Sequence, residues 1–451
     1  MRNLLQKYNV PGPRYTSYPT VPYWDESSFS EKAWKRALQH AFEQSNASQG
    51  ISLYLHLPFC ESLCTYCGCN TRITVNHKVE RPYIEALWKE WALYQSLFSS
   101  RPRLRELHFG GGTPTFFSPE NLHLLLEGLF KESQRAEDHE YSFEAHPHNT
   151  TKAHLEVLYA QGFRRLSLGI QDFDPRVQAL INRHQTFAEV KHITEEARKI
   201  GYQSLNFDLI YGLPGQTQAS VRHTIAQVEK LQPDRIAFYS YAHVPWLKPA
   251  QRSLEPHLPQ DLDKRALYEL GKGLLEKAGY IEIGMDHFAR PHDALAQAFA
   301  HQNLHRNFMG YTTTATQLLV GLGASSISDA WTAMAQNVKG VLEYQTMVNA
   351  GELPLAKGHL LSQEDLIHRQ HILNLMCHFY TNWYNPAHQT EALDEAMAAL
   401  DEMEKDGLVI REPFALQITA AGRPFVRNVA MAFDARLRRK QTNTVLFSQT
   451  V

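Results

Sequence analysis

SLYLHLPF at 52–59 runs directly into CESLCTYCGC at 60–69, so a β-rich run ends in a loop holding four of the chain's five cysteines. The fifth, Cys377, stands alone far downstream. The loop spaces its thiols as Cys60-x3-Cys64-x2-Cys67, with Cys69 two residues further on. Structural zinc sites usually draw four ligands from two separated knuckles. Here there is no second knuckle, and His56 and His77 are the nearby substitutes. A thioredoxin-like pair, Cys64-Thr-Tyr-Cys67, is contained in the loop but leaves Cys60 without purpose. An iron–sulfur cube accepts thiolates from a compact loop of this kind. Cys67 and Cys69 are awkwardly spaced for one cube, so Cys60, Cys64 and Cys67 are the expected ligands and Cys69 a neighbour. Three thiolates leave one iron without a protein ligand, and an open position is what a reactive metal site needs.

Composition sets the setting for that loop. At 451 residues the chain predicts a large domain with a smaller one. A hydrophobic content of 43% with 20% charged residues suits a globular protein with a full core. The net charge of −2 argues neither for a nucleic-acid footprint nor for an acidic-partner surface. MRNLLQKYNVPGPRYTSYPT at the N-terminus lacks the apolar core of a secretory signal. No run approaches the roughly 18 apolar residues of a membrane span. Clustered, odd-numbered cysteines do not make a disulfide framework, so a reducing, cytoplasmic location is expected.

Outward from 52–59, β-rich runs recur: RELHFGGG (105–112), YSFEAHP (141–147), RRLSLGIQDF (164–173), SLNFDLIYGLP (204–214) and RIAFYSYAHVP (235–245). Helical periodicity fills the intervals, as in Tyr83, Ile84, Leu87, Trp88, Trp91, Tyr94 and Leu97. Ser118-Pro119 reads as a cap with proline in the first turn, and Gly201 as the stop of a helix from about Phe187. Six strand–helix repeats predict an α/β fold with a parallel sheet, open or curled into a barrel. Gly110–Thr113, Glu144, Gln171, Asp208 and Tyr241–His243 fall at or past the C-terminal ends of these strands. That is the face on which barrels build sites, and it favours a partial (β/α) barrel.

Past about residue 250 the rhythm changes. Residues 261–280 predict a helix ended at Gly279, and 281–291 a strand then a loop. From 361 the chain reads as mostly helical, and 406–433 as helix, two short strands and helix, the pattern of a small winged-helix unit. Arg423, Arg427, Arg436, Arg438, Arg439 and Lys440 make that end basic. A solvated helix surface explains them better than a DNA-binding wing. The expected division is 1–48 as a segment covering the site, 49–310 as the barrel and 311–451 as a helical C-terminal domain.

The three-plus-open cysteine pattern after a first strand, with Tyr66 before the third thiol, resembles the radical S-adenosylmethionine (SAM) superfamily. The glycine triplet Gly110–Gly112, one β-α unit later, stands where that superfamily contacts SAM. More specifically, GPRYTSYPT (12–20), CGCN (67–70), HFGGGTPT (108–115), GIQDF (169–173), NFDLIYGLPGQT (206–217), YAHVP (241–245), GMDHFARP (284–291), LHRNFMGYTT (304–313) and GRPFVRN (422–428) resemble the oxygen-independent coproporphyrinogen III oxidases. The resemblance runs from about residue 8 to the C-terminus. It implies a [4Fe–4S] cluster with one iron free of cysteine, two SAM molecules, and a 5′-deoxyadenosyl radical. Two propionates of coproporphyrinogen III would then become the vinyl groups of protoporphyrinogen IX, with a low-potential electron donor as partner. By motif, the cluster-bound SAM is expected at Tyr54, Gly111, Glu144 and Ile327. The second is expected at Tyr66, Gly112, Thr113, Gln171, Arg183, Asp208 and Ala242. A monomer is the default expectation, and no catalytic side chain is expected beyond the cluster and SAM.

One departure stands out. The family usually follows the glutamate with Asp-Pro-Arg, whereas this chain reads Glu144-Ala145-His146-Pro147-His148. A protonated histidine there would alter the electrostatics beside the sulfonium. Arg14, Arg290 and Arg306 are candidate partners for the substrate's carboxylates, with loop anchoring as the alternative. The rival functions are a haem chaperone of the same superfamily, a haem-degrading radical methyltransferase, and a zinc-stabilised nucleic-acid-binding protein. GPRYTSYPT and CGC, usually missing from the chaperones, favour the enzyme.

Overall fold

The structure, a computed structural model, describes residues 2–440 and 446–450. Six parallel strands lie side by side in chain order: β1 (Ile51–Leu57), β2 (Arg103–Gly111), β3 (Gln134–Ala145), β4 (Phe163–Gln171), β5 (Ser204–Tyr211) and β6 (Arg235–Ser240). Every residue of β1 is buried, as expected of a parallel strand covered on both faces. The covering helices are set by the signals read above. The helix Glu80–Gln95 buries Tyr83, Ile84, Leu87, Trp91 and Tyr94. Ser118 caps Pro119–Phe130 by accepting from Asn121 N, and Gly201 closes Phe187–Ile200 at φ +112°.

The sheet extends at both edges. Beyond β6 a hairpin of β7 (Ile281–Gly284) and β8 (His287–Ala289) adds on antiparallel, where a single strand was expected. Beyond β1 comes a larger departure from the sequence expectation. Residues 319–360, assigned there to a helical C-terminal domain, return to the main sheet as four strands. β9 (Leu319–Leu322) pairs parallel with β1, and β10 (Ile327–Asp329), β11 (Ala333–Asn337) and β12 (Leu355–Leu360) follow antiparallel. The turn between β9 and β10 is tight enough that a Cβ on Gly321 would lie 2.5 Å from the Ile327 carbonyl oxygen. The resulting sheet has 12 strands, and side chains from β2 through β6 reach one internal cavity of about 170 Å³ with His287 and Tyr311. The sheet is therefore curled into a partial barrel, with β7 and β12 as its edges.

The N-terminal 48 residues do two jobs. The helix Glu31–Ser45 is core, sealing Trp34, Leu38 and Phe42 into the main hydrophobic cluster. Upstream, Tyr15 and Tyr18 join a second cluster with Leu375, Leu400, Leu416 and Phe433 from the C-terminal part. That part contains the helix Gln363–His378 and a three-stranded sheet of Tyr380–Asn382, Ala415–Ile418 and Val409–Glu412. Its arginines are engaged internally: Arg436 with Asp365, Arg438 with Glu395, Arg439 with Glu364, and Arg427 with the carbonyls of Gly12, Pro13 and Gln449. The helix surface is paired, which removes the free basic face a DNA-binding wing would need.

Candidate functional site

At the C-terminal ends of the strands lies a cavity of about 260 Å³. It is lined by every expected site residue except Tyr54, Ala242 and Ile327. Cys60, Cys64, Cys67 and Cys69 line it together with Glu144, Gln171, Arg183 and Asp208.

The cysteine loop has little structure of its own, and Cys67 N–H donating to the Cys64 carbonyl at 3.1 Å is its one internal turn bond among those resolved. Neighbours suspend it. Thr65 bonds to the Ile181 and Leu180 carbonyls at 3.1 and 3.2 Å, and Asn182 Nδ2 donates to the Leu63 carbonyl at 2.7 Å. Gln251, 1% exposed, donates to the Tyr66 carbonyl at 2.9 Å, while Lys248 Nζ reaches the Cys69 carbonyl at 2.6 Å. His56 Nε2 meets the Asn70 carbonyl at 2.8 Å, and its Nδ1 meets the Tyr54 hydroxyl at 3.1 Å. Tyr54 thus supports the loop through His56 rather than lining the cavity.

The glycine loop is held by close packing. Gly111 adopts φ +110°, and a Cβ there would lie 2.6 Å from the His56 ring. A Cβ on Gly112 would lie 2.6 Å from the Pro58 carbonyl carbon. Gly112 N–H donates to the Leu57 carbonyl at 2.8 Å, and Thr113 N–H to that of Phe59 at 2.9 Å. A side chain at either position would collide with the protein itself, so this packing requires glycine.

Electrostatics differ across the cavity. Burial pushes the Cys60 thiol up to about 11, although Thr113 Oγ1 lies 3.4 Å from its sulfur. A hydrogen bond with Cys69 holds Cys67 below the ordinary thiol range. Burial disfavours the charge of Arg183, yet Tyr66, Cys64 and Cys67 leave its pKa above the usual value. One of its N–H groups bonds to the Gly169 carbonyl and another lies 3.7 Å from Cys64 Sγ. Its Nε is buried without a partner. Burial and the nearby Glu144 raise the Asp208 carboxyl to about 6, against hydrogen bonds from Ser167 and Asn206 at 2.8 Å each.

These features fit the groups the motifs imply. Among the described residues no three or more His, Cys, Asp or Glu side chains are arranged to hold one metal ion. A cube does not need them to converge, since each of its irons takes its own thiolate. The unpartnered Arg183 Nε on the cavity wall suits a carboxylate-bearing ligand.

Three other expectations are resolved by position. His146 lines the cavity, but burial and Arg183 push its pKa down to about 3, so it is neutral at physiological pH. His148 faces away to Glu189 at 2.8 Å. The departure from Asp-Pro-Arg therefore puts a neutral imidazole on the cavity wall. Ile327 packs in a separate cluster with Trp24 and Met334, and Ala242 lies just past β6 beside buried Tyr241. Arg14, Arg290 and Arg306 are anchors. Arg14 pairs with Asp286 at 3.6 Å, Arg290 donates to the Ala278 carbonyl at 2.8 Å, and Arg306 to the Tyr15 and Arg14 carbonyls at 3.3 Å.

The profile of the Radical SAM superfamily matches residues 54–228, the stretch from β1 to the helix after β5. Oxygen-independent coproporphyrinogen III oxidase of Escherichia coli is 40% identical over 97% of this chain and 95% of its own. The same-named protein of Synechocystis is 38% identical over 99% of this chain and 97% of its own. The chain belongs to the oxygen-independent coproporphyrinogen III oxidase family. The solved structure of coproporphyrinogen III oxidase from Escherichia coli, titled a radical SAM enzyme, agrees with a TM-score of 0.88 at 38% identity, covering 94% of this chain and 97% of that one.

Sequence reasoning missed the residues that suspend the loop. His56 was weighed as a zinc substitute, when it is the prop between Gly111 and Asn70. Gln251, Lys248 and Asn182 carry no local motif, because each meets the loop from more than a hundred residues away in the chain.

Proposed function

We propose that this protein is an oxygen-independent coproporphyrinogen III oxidase, which converts two propionate side chains of coproporphyrinogen III to vinyl groups with loss of two CO2. The observation carrying this function is the single cavity in which the three-cysteine loop lies with Gly111, Gly112, Glu144, Gln171, Arg183 and Asp208, in a chain 40% identical to that enzyme along its length. When bound, a [4Fe–4S] cluster and SAM would supply a deoxyadenosyl radical that takes a hydrogen atom from the propionate β-carbon; CO2 leaves as the vinyl group forms, and the one electron left over per propionate passes to a terminal electron acceptor.

The chain's residues bind and orient. Cys60, Cys64 and Cys67 would hold the cluster and leave one iron for a SAM amino and carboxylate group. Tyr54, Gly111, Glu144 and Ile327 would serve that SAM, with Tyr54 and Ile327 supporting from behind the cavity wall. Tyr66, Gly112, Thr113, Gln171, Arg183, Asp208 and Ala242 would serve a second SAM. Arg183 forks onto a carboxylate with its free Nε, and Asp208 accepts from ribose hydroxyls. The N-terminal segment, pinned by Arg306 and Arg427, limits water at the barrel mouth. The protein acts in the cytoplasm as a monomer, taking electrons from a low-potential donor.

The test is an anaerobic assay of reconstituted protein with SAM, dithionite and coproporphyrinogen III. Protoporphyrin fluorescence after oxidation and deoxyadenosine are the expected products, both lost in Cys64→Ala. A cluster that forms without porphyrin product, in a protein that binds haem tightly, would overturn the assignment in favour of a haem chaperone.

A further inference from the structure

The His-Pro-His departure stands at a corner of the cavity where an arginine has no carboxylate partner. In the register of β3 and β4, Glu144 lies opposite Ser167 and Ala145 opposite Leu168, so His146 leaves β3 beside Gly169. The Gly169 carbonyl takes a bond from Arg183, and a Cβ on Gly169 would lie 2.8 Å from Arg183 Nη2, so the glycine admits the guanidinium. Both His146 and Arg183 line the cavity. Asp208 flanks Gly169 on β5, and its oxygens take bonds from Ser167 and Asn206 at 2.8 Å each rather than from Arg183. Arg183 makes no ion pair among the described residues, and its Nε is unpartnered. The turn after β3 fixes which nitrogen of His146 carries the proton. Its carbonyl accepts from Asn149 N–H and Thr150 N–H at 3.1 Å each, and from Thr150 Oγ1 at 2.8 Å. His148 N–H donates to His146 Nδ1 at 3.2 Å, and Glu189 holds the His148 ring at 2.8 Å. A neutral imidazole that accepts at Nδ1 carries its proton on Nε2. Burial and Arg183 keep the ring neutral, with its pKa pushed down to about 3. Its Nε2–H has no hydrogen-bond partner among the described residues.

We propose that His146 Nε2–H and Arg183 form a two-donor clamp for a ligand carboxylate, either that of the SAM amino-acid end or that of a substrate propionate. The inference rests on the SAM-dependent reading above and adds His146 to the groups that hold the ligand. A carboxylate only accepts hydrogen bonds, and a guanidinium with a neutral donor beside it can serve both of its oxygens. An aspartate in place of His146 would bring its own carboxylate to Arg183 and offer the ligand no donor. The two histidines thus work together: His148 sets the tautomer and His146 donates.

The probes are SAM and decarboxylated SAM, titrated into the reconstituted holoprotein, with the KM for coproporphyrinogen III measured alongside. If the carboxylate is that of SAM, His146→Leu is expected to weaken SAM binding by about tenfold and to leave decarboxylated SAM unchanged. If it is a propionate, SAM affinity holds and the KM for coproporphyrinogen III rises by about the same factor. His146→Gln keeps a neutral donor of similar reach and is expected to stay within about threefold of wild type in both readouts. Iron content stays unchanged in both variants. Should His146→Leu fail to take up iron, His146→Asn is read in its place, since it keeps an acceptor for His148 N–H but lacks the outer donor. Equal SAM affinity and equal KM in wild type and the donor-less variant would overturn the proposal. So would an equal loss for SAM and decarboxylated SAM, which would mark a packing defect instead of a lost carboxylate contact. Failure of the oxidase assignment shows separately, as absent porphyrin product from wild-type protein that binds SAM.

Discussion

Two loops line the cavity, and they are held by opposite means. Gly110–Thr113 continues directly from β2 and bonds through its own backbone to Leu57 and Phe59, and Gly111 and Gly112 pack so closely on His56 and Pro58 that no Cβ fits on either. Residues 60–69 have almost no internal bonding and hang from side chains of Asn182, Lys248, Gln251 and His56. The difference teaches where each loop's geometry is stored. The glycine loop is fixed by the sheet before any cofactor arrives. The cysteine loop is aimed by tethers that can each yield a little, which suits a segment that must admit a cluster and then hold it. Cooperative opening of such weakly bonded segments costs far less than global unfolding.

The largest effect is expected on the packed side. In Gly112→Ala the new Cβ would meet Pro58 C and O and Phe59 O at 2.6–2.8 Å, all of them backbone atoms that cannot rotate away. The loop must shift, costing about 2–3 kcal/mol. Calorimetric melting should show that loss, and titration should show SAM binding by the reconstituted protein falling by more than tenfold. Retention of SAM affinity would mean that the glycine wall is softer than its contacts imply.

Asp208 tests what the cavity gives up for its ligand. Its carboxyl is raised from 3.8 to about 6 by burial and by Glu144. A carboxyl with a higher folded-state value binds a proton the unfolded chain has released, so the folded protein loses stability as pH rises from about 4 through 6. Above that window the loss is complete. Asp208→Asn removes it, and the empty variant should be more stable than wild type by about 1–2 kcal/mol near neutral pH, with no advantage at about pH 4. The same variant should bind SAM more weakly. Urea unfolding at the two pH values checks the first statement, and a stability difference independent of pH would contradict it.

How much of this was legible in the sequence follows the same division. The six parallel strands and their capped helices were readable because each signal is local: an apolar run, a serine before proline, a glycine at a helix end. The strand-end residues Glu144, Gln171 and Asp208 inherited their positions from that pattern. The return of 319–360 to the sheet was not legible. The pairing of β9 with β1 joins residues some 270 apart in the chain, and short strands broken by Gly321 and Gly323 carry no sustained period. The tethers were hidden for the same reason. Gln251 lies in a turn with no motif of its own, and its role exists only once β6 delivers the following loop beside Tyr66.

Gln251→Ala sharpens the contrast at intermediate size. The side chain accepts from Val244 N–H at 2.7 Å while donating to Tyr66, so two loops lose one shared tie. Each buried partner left unsatisfied costs about 1–2 kcal/mol locally. Because the tie sits outside the sheet, the melting temperature should move by a few degrees at most, whereas iron retained per chain after reconstitution and desalting should fall clearly. A melting loss as large as that of Gly112→Ala would erase the distinction between the two walls.

The smallest effect separates tether from strain. Asn182 has a left-handed backbone, φ +50°, and its exposed side chain donates to the Leu63 carbonyl at 2.7 Å. Asn182→Gly removes the bond but accepts the backbone without strain, whereas Asn182→Ala removes the bond and adds about 1 kcal/mol for an alanine in that conformation. If the bond matters as a tether, both variants should take up iron slightly less completely than wild type and to the same extent, while Ala alone lowers the melting temperature. If only the backbone conformation matters, Gly should behave as wild type in iron uptake and Ala should lose both. The first outcome is expected, because the Leu63 carbonyl sits one residue before Cys64 and gets its direction from that contact, while the turn at Asn182 is set independently by Arg183 N–H bonding back to the Gln178 carbonyl at 3.0 Å.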